Sequence, residues 1–154
     1  MLPITKILCP TDFSQPSYEA LEAAKELALH FSAELILMNV VTPIPVVPAS
    51  PDPTGVDLSG YQLEMVGFAK ESMETLLKER IPPEITARHM VFQGNPADEI
   101  VHTASQEEVD MIVIATHGLT GWRRFIFGSV AEKVVRLSPR PVLTITAPKG
   151  HKKG

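Results

Sequence analysis

Between an apolar run ending at Ala115 and a helix-like segment carrying Val130, Val134, Val135 and Leu137 lies a stretch punctuated by Gly118, Gly121 and Gly128, the last followed by Ser129. Glycine lets main-chain N–H groups come close to an anion. A helix N-terminus adds its unpaired N–H groups and roughly half a positive charge. Gly128, Ser129, Val130 and Ala131 therefore read as a phosphate site, with a hydroxyl donor in Ser129 and positive charge from Arg123 and Arg124 on the same loop. The same residues also read as a glycine-rich connection closed by a serine N-cap, and spacing alone does not separate the two. His117, in the same loop, has either a phosphate to donate to or a packing role. Asp12 follows a strand-like run in a segment rich in capping residues. It would either accept hydrogen bonds from turn amides, the plainer role, or accept them from a ribose hydroxyl or a base amine.

Other chemistries lack their residues. There is no G-x-x-x-x-G-K-[ST] and no G-x-G-x-x-G after the first strand, so the P-loop and the dinucleotide fingerprint are excluded. No G-x-S-x-G elbow is present. Receiver domains need an aspartate ending strand three, where this chain has Phe92, Gln93 and Gly94. His30, His89, His102 and His151 show no ligand spacing with one another or with Cys9, so no metal site is assigned. Cys9 lies within a strand-like run and reads as a buried small hydrophobe.

The elements that must position these residues alternate. Five short β-branched runs, Ile4 to Pro10, Glu34 to Val41, Thr86 to Phe92, Met111 to Thr116 and Val142 to Thr146, are separated by helical patterns, which implies a parallel sheet. ILMNVV and MIVIAT are nearly continuous apolar runs, as in strands covered on both faces. Helix one follows Ser14 as N-cap with Pro16 in its first turn and Ala20, Leu21, Ala24, Leu27, Ala28 and Phe31 at helical spacing. Helix two spans about Ser59 to Arg80, with Leu63, Val66, Met73, Leu76 and Leu77 as its stripe and Pro82-Pro83 as its stop. Helix three opens on Asn95-Pro96 and buries Ala97, Ile100, Val101 and Ala104. Helix four starts near Ser129 and ends before Pro139. In such a sheet ligands bind beyond the carboxyl ends of strands where the order reverses. Pro10-Thr11-Asp12, Asn39-Val40-Val41 and Ala115-Thr116-His117-Gly118 all fall at that edge.

Length and charge fit this reading. The chain has 154 residues, the size of one domain, and carries 14 Lys+Arg against 18 Asp+Glu for a formal charge of -4. A net acidic chain lacks the surplus that holds phosphate backbones, so no nucleic-acid partner is expected. No run approaches the roughly 20 apolar residues of a membrane span, so no membrane partner is expected either. A single cysteine and an opening, MLPITKILCP, without secretory features lead to a cytoplasmic expectation. Thr42 to Gly60 holds five of the 14 prolines and reads as a loop; residues 1–147 form one domain and 148–154 a polar tail.

Taken together the residues resemble the universal stress protein family along essentially the whole chain: KILCPTDFSQPSYEAL, ELILMNVV, GNPADEIVHTASQEEVDMIVIATHG and GSVAEKVVRLSPRPVLTI. The nucleotide-binding branch carries G-x-x-G, nine residues, then G-[ST]. Gly118, the nine residues Leu119 to Phe127, and Gly128-Ser129 keep that spacing, whereas Ala115 replaces the first glycine. A methyl there obstructs a ligand only if φ must be positive or the backbone packs tightly, and a strand-end alanine is expected to keep β geometry. The resemblance implies a single α/β domain with an open five-stranded parallel sheet of order 3-2-1-4-5, helices on both faces, of the Rossmann-like, adenine nucleotide alpha hydrolase-like kind. It implies ATP in the crevice between strands one and four. Pro10, Thr11, Asp12 and Val40 would surround adenine and ribose, and Gly118, Gly128, Ser129, Val130 and Ala131 the triphosphate, with Ala115, Thr116 and His117 beside them. Mg²⁺ is a frequent companion of a triphosphate. Homodimerisation through Val142 to Thr146 is implied too, and an apolar edge strand left bare invites such pairing. The expected task is a nucleotide-dependent regulatory one in a stress response, involving an unidentified protein partner. A nucleotide-free interaction dimer and a slow ATP hydrolase, for which no general base stands out, remain as other classes.

Overall fold

In the computed structural model, residues 2–45, 58–117 and 127–146 are described. Most of the proline-rich segment, the stretch from Gly118 through Arg123 and Arg124, and the terminal tail lie outside them.

The chain alternates strand and helix: β1 (Lys6–Pro10), α1 (Gln15–Phe31), β2 (Glu34–Val41), α2 (Leu58–Arg80), β3 (Ala87–Gln93), α3 (Pro96–Gln106), β4 (Met111–Ala115), α4 (Ser129–Leu137) and β5 (Val142–Ile145). The five strands form one parallel sheet in the order β3-β2-β1-β4-β5, as the sequence led us to expect. Because side chains alternate across a strand, each interior strand feeds two cores. Ile7, Cys9, Leu35, Leu37 and Val113 pack with Ala20, Leu21 and Ala24 of α1 and Met73 and Leu76 of α2. Leu8, Ile36, Met38, Ile112 and Ile114 pack with Ala97, Ile100 and Ala104 of α3 and Ala131 and Val134 of α4. Burial on both faces is why these strands read as unbroken apolar runs.

Helix starts follow their caps. Ser14 and Asn95 accept from the amides of Ser17 and Asp98, each with proline at the start of the helix it caps. β1 begins at Lys6, two residues later than the apolar run, and the amides of Thr5 and Lys6 at its entry donate to the Asp110 carboxylate at 2.6 and 3.0 Å. One burial expectation, Val101, is corrected, and the apolar stripes of α2 and α4 are buried only in part. Leu63 is 72% exposed. At 23 residues α2 is about 34 Å long, whereas the eight residues of β2 span about 26 Å. Phe68 is exposed as well, and Ala69 rather than Leu63 joins Met73 and Leu76 in the core. Val101 is half-buried, and Val135 and Leu137 are exposed, since the nine-residue α4 packs through Ala131 and Val134. Among the described residues no helix is long and apolar enough to cross a membrane.

Candidate functional site

At the carboxyl end of the sheet β1 and β4 send their chains to opposite faces, and a cleft of about 330 Å³ opens between them. Small-molecule sites start at roughly 300 Å³. Its walls are the ends of β1, β2 and β4 and the start of α4, with α3 contributing Pro96 and Ile100.

The β1 end is shaped by a hydroxyl network. The Thr11 hydroxyl accepts from the Phe13 amide at 3.0 Å and lies 2.8 Å from the Ser17 hydroxyl, which pairs with the Ser14 carbonyl. Phe13 turns the chain away with φ of 62°. Asp12 is exposed, and its Oδ1 accepts from the amide and the hydroxyl of Ser14. The plainer role expected of Asp12, bracing the turn into α1, is therefore present, and the residue also lines the cleft.

The β4 end is the floor. Ala115 pairs with Ile145 inside the parallel ladder and joins the core on the α1 side. Among the described residues the left-handed non-glycine positions are Phe13, Ser32 and Glu108, so Ala115 keeps the β geometry expected of it. Thr116 is buried; its amide donates to the Ile145 carbonyl at 2.9 Å and its hydroxyl meets His117 Nδ1 at 2.9 Å. His117 Nε2 is buried without a hydrogen-bond partner among the described residues, an orphan donor or acceptor beside the cleft.

α4 closes the site. Its N-cap is Gly128, with φ of −57° and ψ of 153°, a residue with no side chain to accept from the opening amides. Ser129 is the first helical residue and not the serine N-cap that the plainer reading needed. Among the described residues no side chain accepts from the first amides of α4, which stand at the positive end of the helix dipole. The Gly128 amide is itself spent on the Thr116 carbonyl.

Pro10, Thr11, Asp12, Val40, Ala115, Thr116, His117, Gly128, Ser129, Val130 and Ala131 all line this one cleft. Gly118 lies outside the described residues. Sequence reasoning missed Ser17 and the apolar Met38, Ile100 and Ile114, and put Asn39 at the ligand edge without giving it a role. Asn39 carried a signal, as the one polar residue inside ILMNVV. The apolar three look like ordinary core in any pattern. Cys9 is fully buried beneath the floor, and burial pushes its thiol up to about 12, which makes it inert as a nucleophile. Among the described residues no three His, Cys, Asp or Glu side chains are grouped to hold a metal ion.

Comparison with known proteins agrees with the fold. The profile of the universal stress protein family matches residues 3–146. Universal stress protein MJ0531 of Methanocaldococcus jannaschii is 35% identical over 148 residues, 94% of this chain and 83% of that protein. The structure of universal stress protein UspA from Lactobacillus plantarum matches with a TM-score of 0.79 at 26% identity, covering 92% of this chain and 97% of that one. A universal stress protein solved in complex with cAMP shares the fold at a TM-score of 0.63 and 20% identity, covering 93% and 97% of the two chains. With a family profile spanning nearly all of its described elements, this chain belongs to the universal stress protein family.

Proposed function

We propose that the protein binds an adenine nucleotide, ATP first among them, in the cleft between β1 and β4, and acts as a nucleotide-dependent regulatory homodimer in a stress response. The observation that carries the reading is the start of α4: a helix N-terminus whose cap is a glycine, lining a cleft whose other end holds an acid and a strand end. With glycine at the cap, more of the four opening N–H groups remain for an anion than at a start capped by a side chain. The triphosphate lies along Gly128, Ser129, Val130 and Ala131, and Asp12 faces the ribose, where a carboxylate accepts hydroxyl hydrogens. The cAMP complex of a protein of the same fold supports an adenine nucleotide as the ligand class. Mg²⁺, where it accompanies ATP, rides on phosphate oxygens and water, since the described residues offer it no ligand cluster.

β5 is an outer strand of the sheet, and Leu143 on it is exposed together with Val135 and Leu137 of α4. Pairing two copies through β5 covers these side chains and the open ladder edge at once. Ala115 is the observation behind a nucleotide-free dimer, but its β backbone and its place in the core leave the cleft open. Calorimetric titration with ATP, AMP and GTP tests the proposal. Saturable binding of ATP is expected, and absence of heat for all three up to about 1 mM, where the binding free energy is only about 4 kcal/mol, refutes it.

A further inference from the structure

The first half of α2 carries apolar side chains that the core does not use. Leu58, Tyr61, Met65 and Phe68 follow one another at intervals of three, four and three residues, which sets them in one stripe about 15 Å long on the helix surface. All four are exposed, Phe68 to 64% and Tyr61 to 49%. The buried residues of this helix are Ala69, Met73 and Leu76. Phe68 stands one position before Ala69, so the stripe lies roughly a quarter-turn round the helix from the face that meets the sheet. Beyond Phe68 the same line continues as Ser72, Thr75 and Glu79, all exposed. The apolar stretch is bounded, and α2 does not need it to pack.

The four side chains leave on the order of 400 Å² of neighbouring apolar surface, within the range at which such patches on soluble proteins mark binding sites. Apolar anchors at three-four spacing are what a helix offers to a second helix. Charge says what that second helix carries. Glu64 and Glu71 are exposed on the flank of the stripe away from the sheet, and neither makes an ion pair with another described residue. Lys70 lies on the far side of the helix from the stripe. The flank is acidic.

A second copy of the chain fits this surface poorly. The three-four-three spacing reads the same in both directions, so two stripes could lie antiparallel, but the pair would turn about the middle of the stripe and set Glu64 against its own counterpart, like charge on like. We propose that the first three turns of α2 dock an amphipathic helix of a partner protein, one with apolar residues at the matching spacing and Lys or Arg beside them. The apolar anchors supply affinity, and the cationic groups answer Glu64 and Glu71. Docking at this surface is independent of whether the cleft holds a nucleotide.

The test uses two synthetic helical peptides with leucines at three-four-three spacing, one flanked by lysines and its twin by glutamates, each titrated into the protein by calorimetry. The lysine peptide is expected to bind with a Kd of about 100 μM or tighter, and the glutamate twin about tenfold more weakly or worse. Phe68→Asp should weaken the lysine peptide by about tenfold or more, and since the side chain is already exposed the melting temperature should hold within a few degrees. Glu64→Gln combined with Glu71→Gln leaves the apolar stripe intact and should bring the two peptides within about threefold of each other. No binding of the lysine peptide, equal binding of the twins by the unmutated protein, or a preference that survives the double change overturns the proposal. So does a lysine peptide indifferent to Phe68→Asp, which would mean attraction to the net negative chain alone. Light scattering on Leu143→Arg decides the other occupant: a monomer is expected, and a dimer that Phe68→Asp dissolves would assign the stripe to a second copy and overturn the proposal.

Discussion

The amide of Gly128 donates to the carbonyl of Thr116, so the residue that caps α4 is fastened to the residue that ends the floor of the cleft. Eleven positions of sequence separate them, yet the bond makes the helix start and the strand end one rigid corner. Ser129, Val130 and Ala131 of the first turn of α4 line the same cleft as Thr116.

That corner gives opposite expectations for stability and binding. Gly128 has a backbone conformation open to any residue. Gly128→Asp supplies the missing N-cap, which should leave the protein equally stable or a few tenths of a kcal/mol more so. The same carboxylate meets the phosphates of the ligand, and ATP affinity should fall by about tenfold or more. Thermal denaturation beside calorimetry reads both signs.

Ala115→Gly restores the glycine that the family pattern has at this position. Because Ala115 is already extended and packed into the core, the change should move ATP affinity by less than about threefold. It should cost about 1 kcal/mol of stability through the freer unfolded chain and the lost methyl. Chemical denaturation and titration of the same sample separate the two effects.

Asp110 ties the entry of β1 to the entry of β4: its Oδ2 accepts from the Thr5 amide and hydroxyl and the Lys6 amide. The Thr5 amide, foremost among these donors, holds the carboxyl below its ordinary value of 3.8. A carboxyl depressed in the folded state lends stability above that value and loses it as the pH falls through the folded pKa. Asp110→Asn should therefore lower stability by about 1 kcal/mol at neutral pH and flatten the acid limb of the stability profile below about pH 4. Urea denaturation from pH 7 down to 3 makes the comparison.

At the β5 edge, Leu143→Arg should shift the protein from dimer to monomer. Leu143 stands beside a groove formed by Ala23, Glu26, Leu27 and His30 of α1, and the substitution replaces an exposed apolar side chain on the pairing edge with a strongly hydrated charge that pairing would have to desolvate. Light scattering on the two proteins at equal concentration reads the mass directly.

The architecture was legible because its signals are local or periodic. Ser14 and Asn95 announced helix starts by their chemistry, and strands covered on both faces cannot hide their apolar runs. The cleft was legible because a parallel sheet gathers its strand ends at one edge, so placing Asp12, Thr116 and Gly128 in sequence order placed them in space. What escaped depended on tertiary partners. Leu63 obeys the helical period of α2 and is still exposed, since its burial depends on what packs against the first half of the helix. Asn39 is read as a strand residue until the Thr11 carbonyl it caps is known, and that contact joins residues 28 positions apart.

The central claim is that the phosphates of an adenine nucleotide rest on the opening amides of α4 while its base lies against the end of β2. Titrating ATP into labelled protein and following backbone amide shifts tests it in place. The largest changes should fall on Ser129, Val130 and Ala131 together with Val40, at ATP concentrations of about 1 mM or below. Shifts confined to other surfaces, or none at those four amides at saturating ATP, would contradict the account.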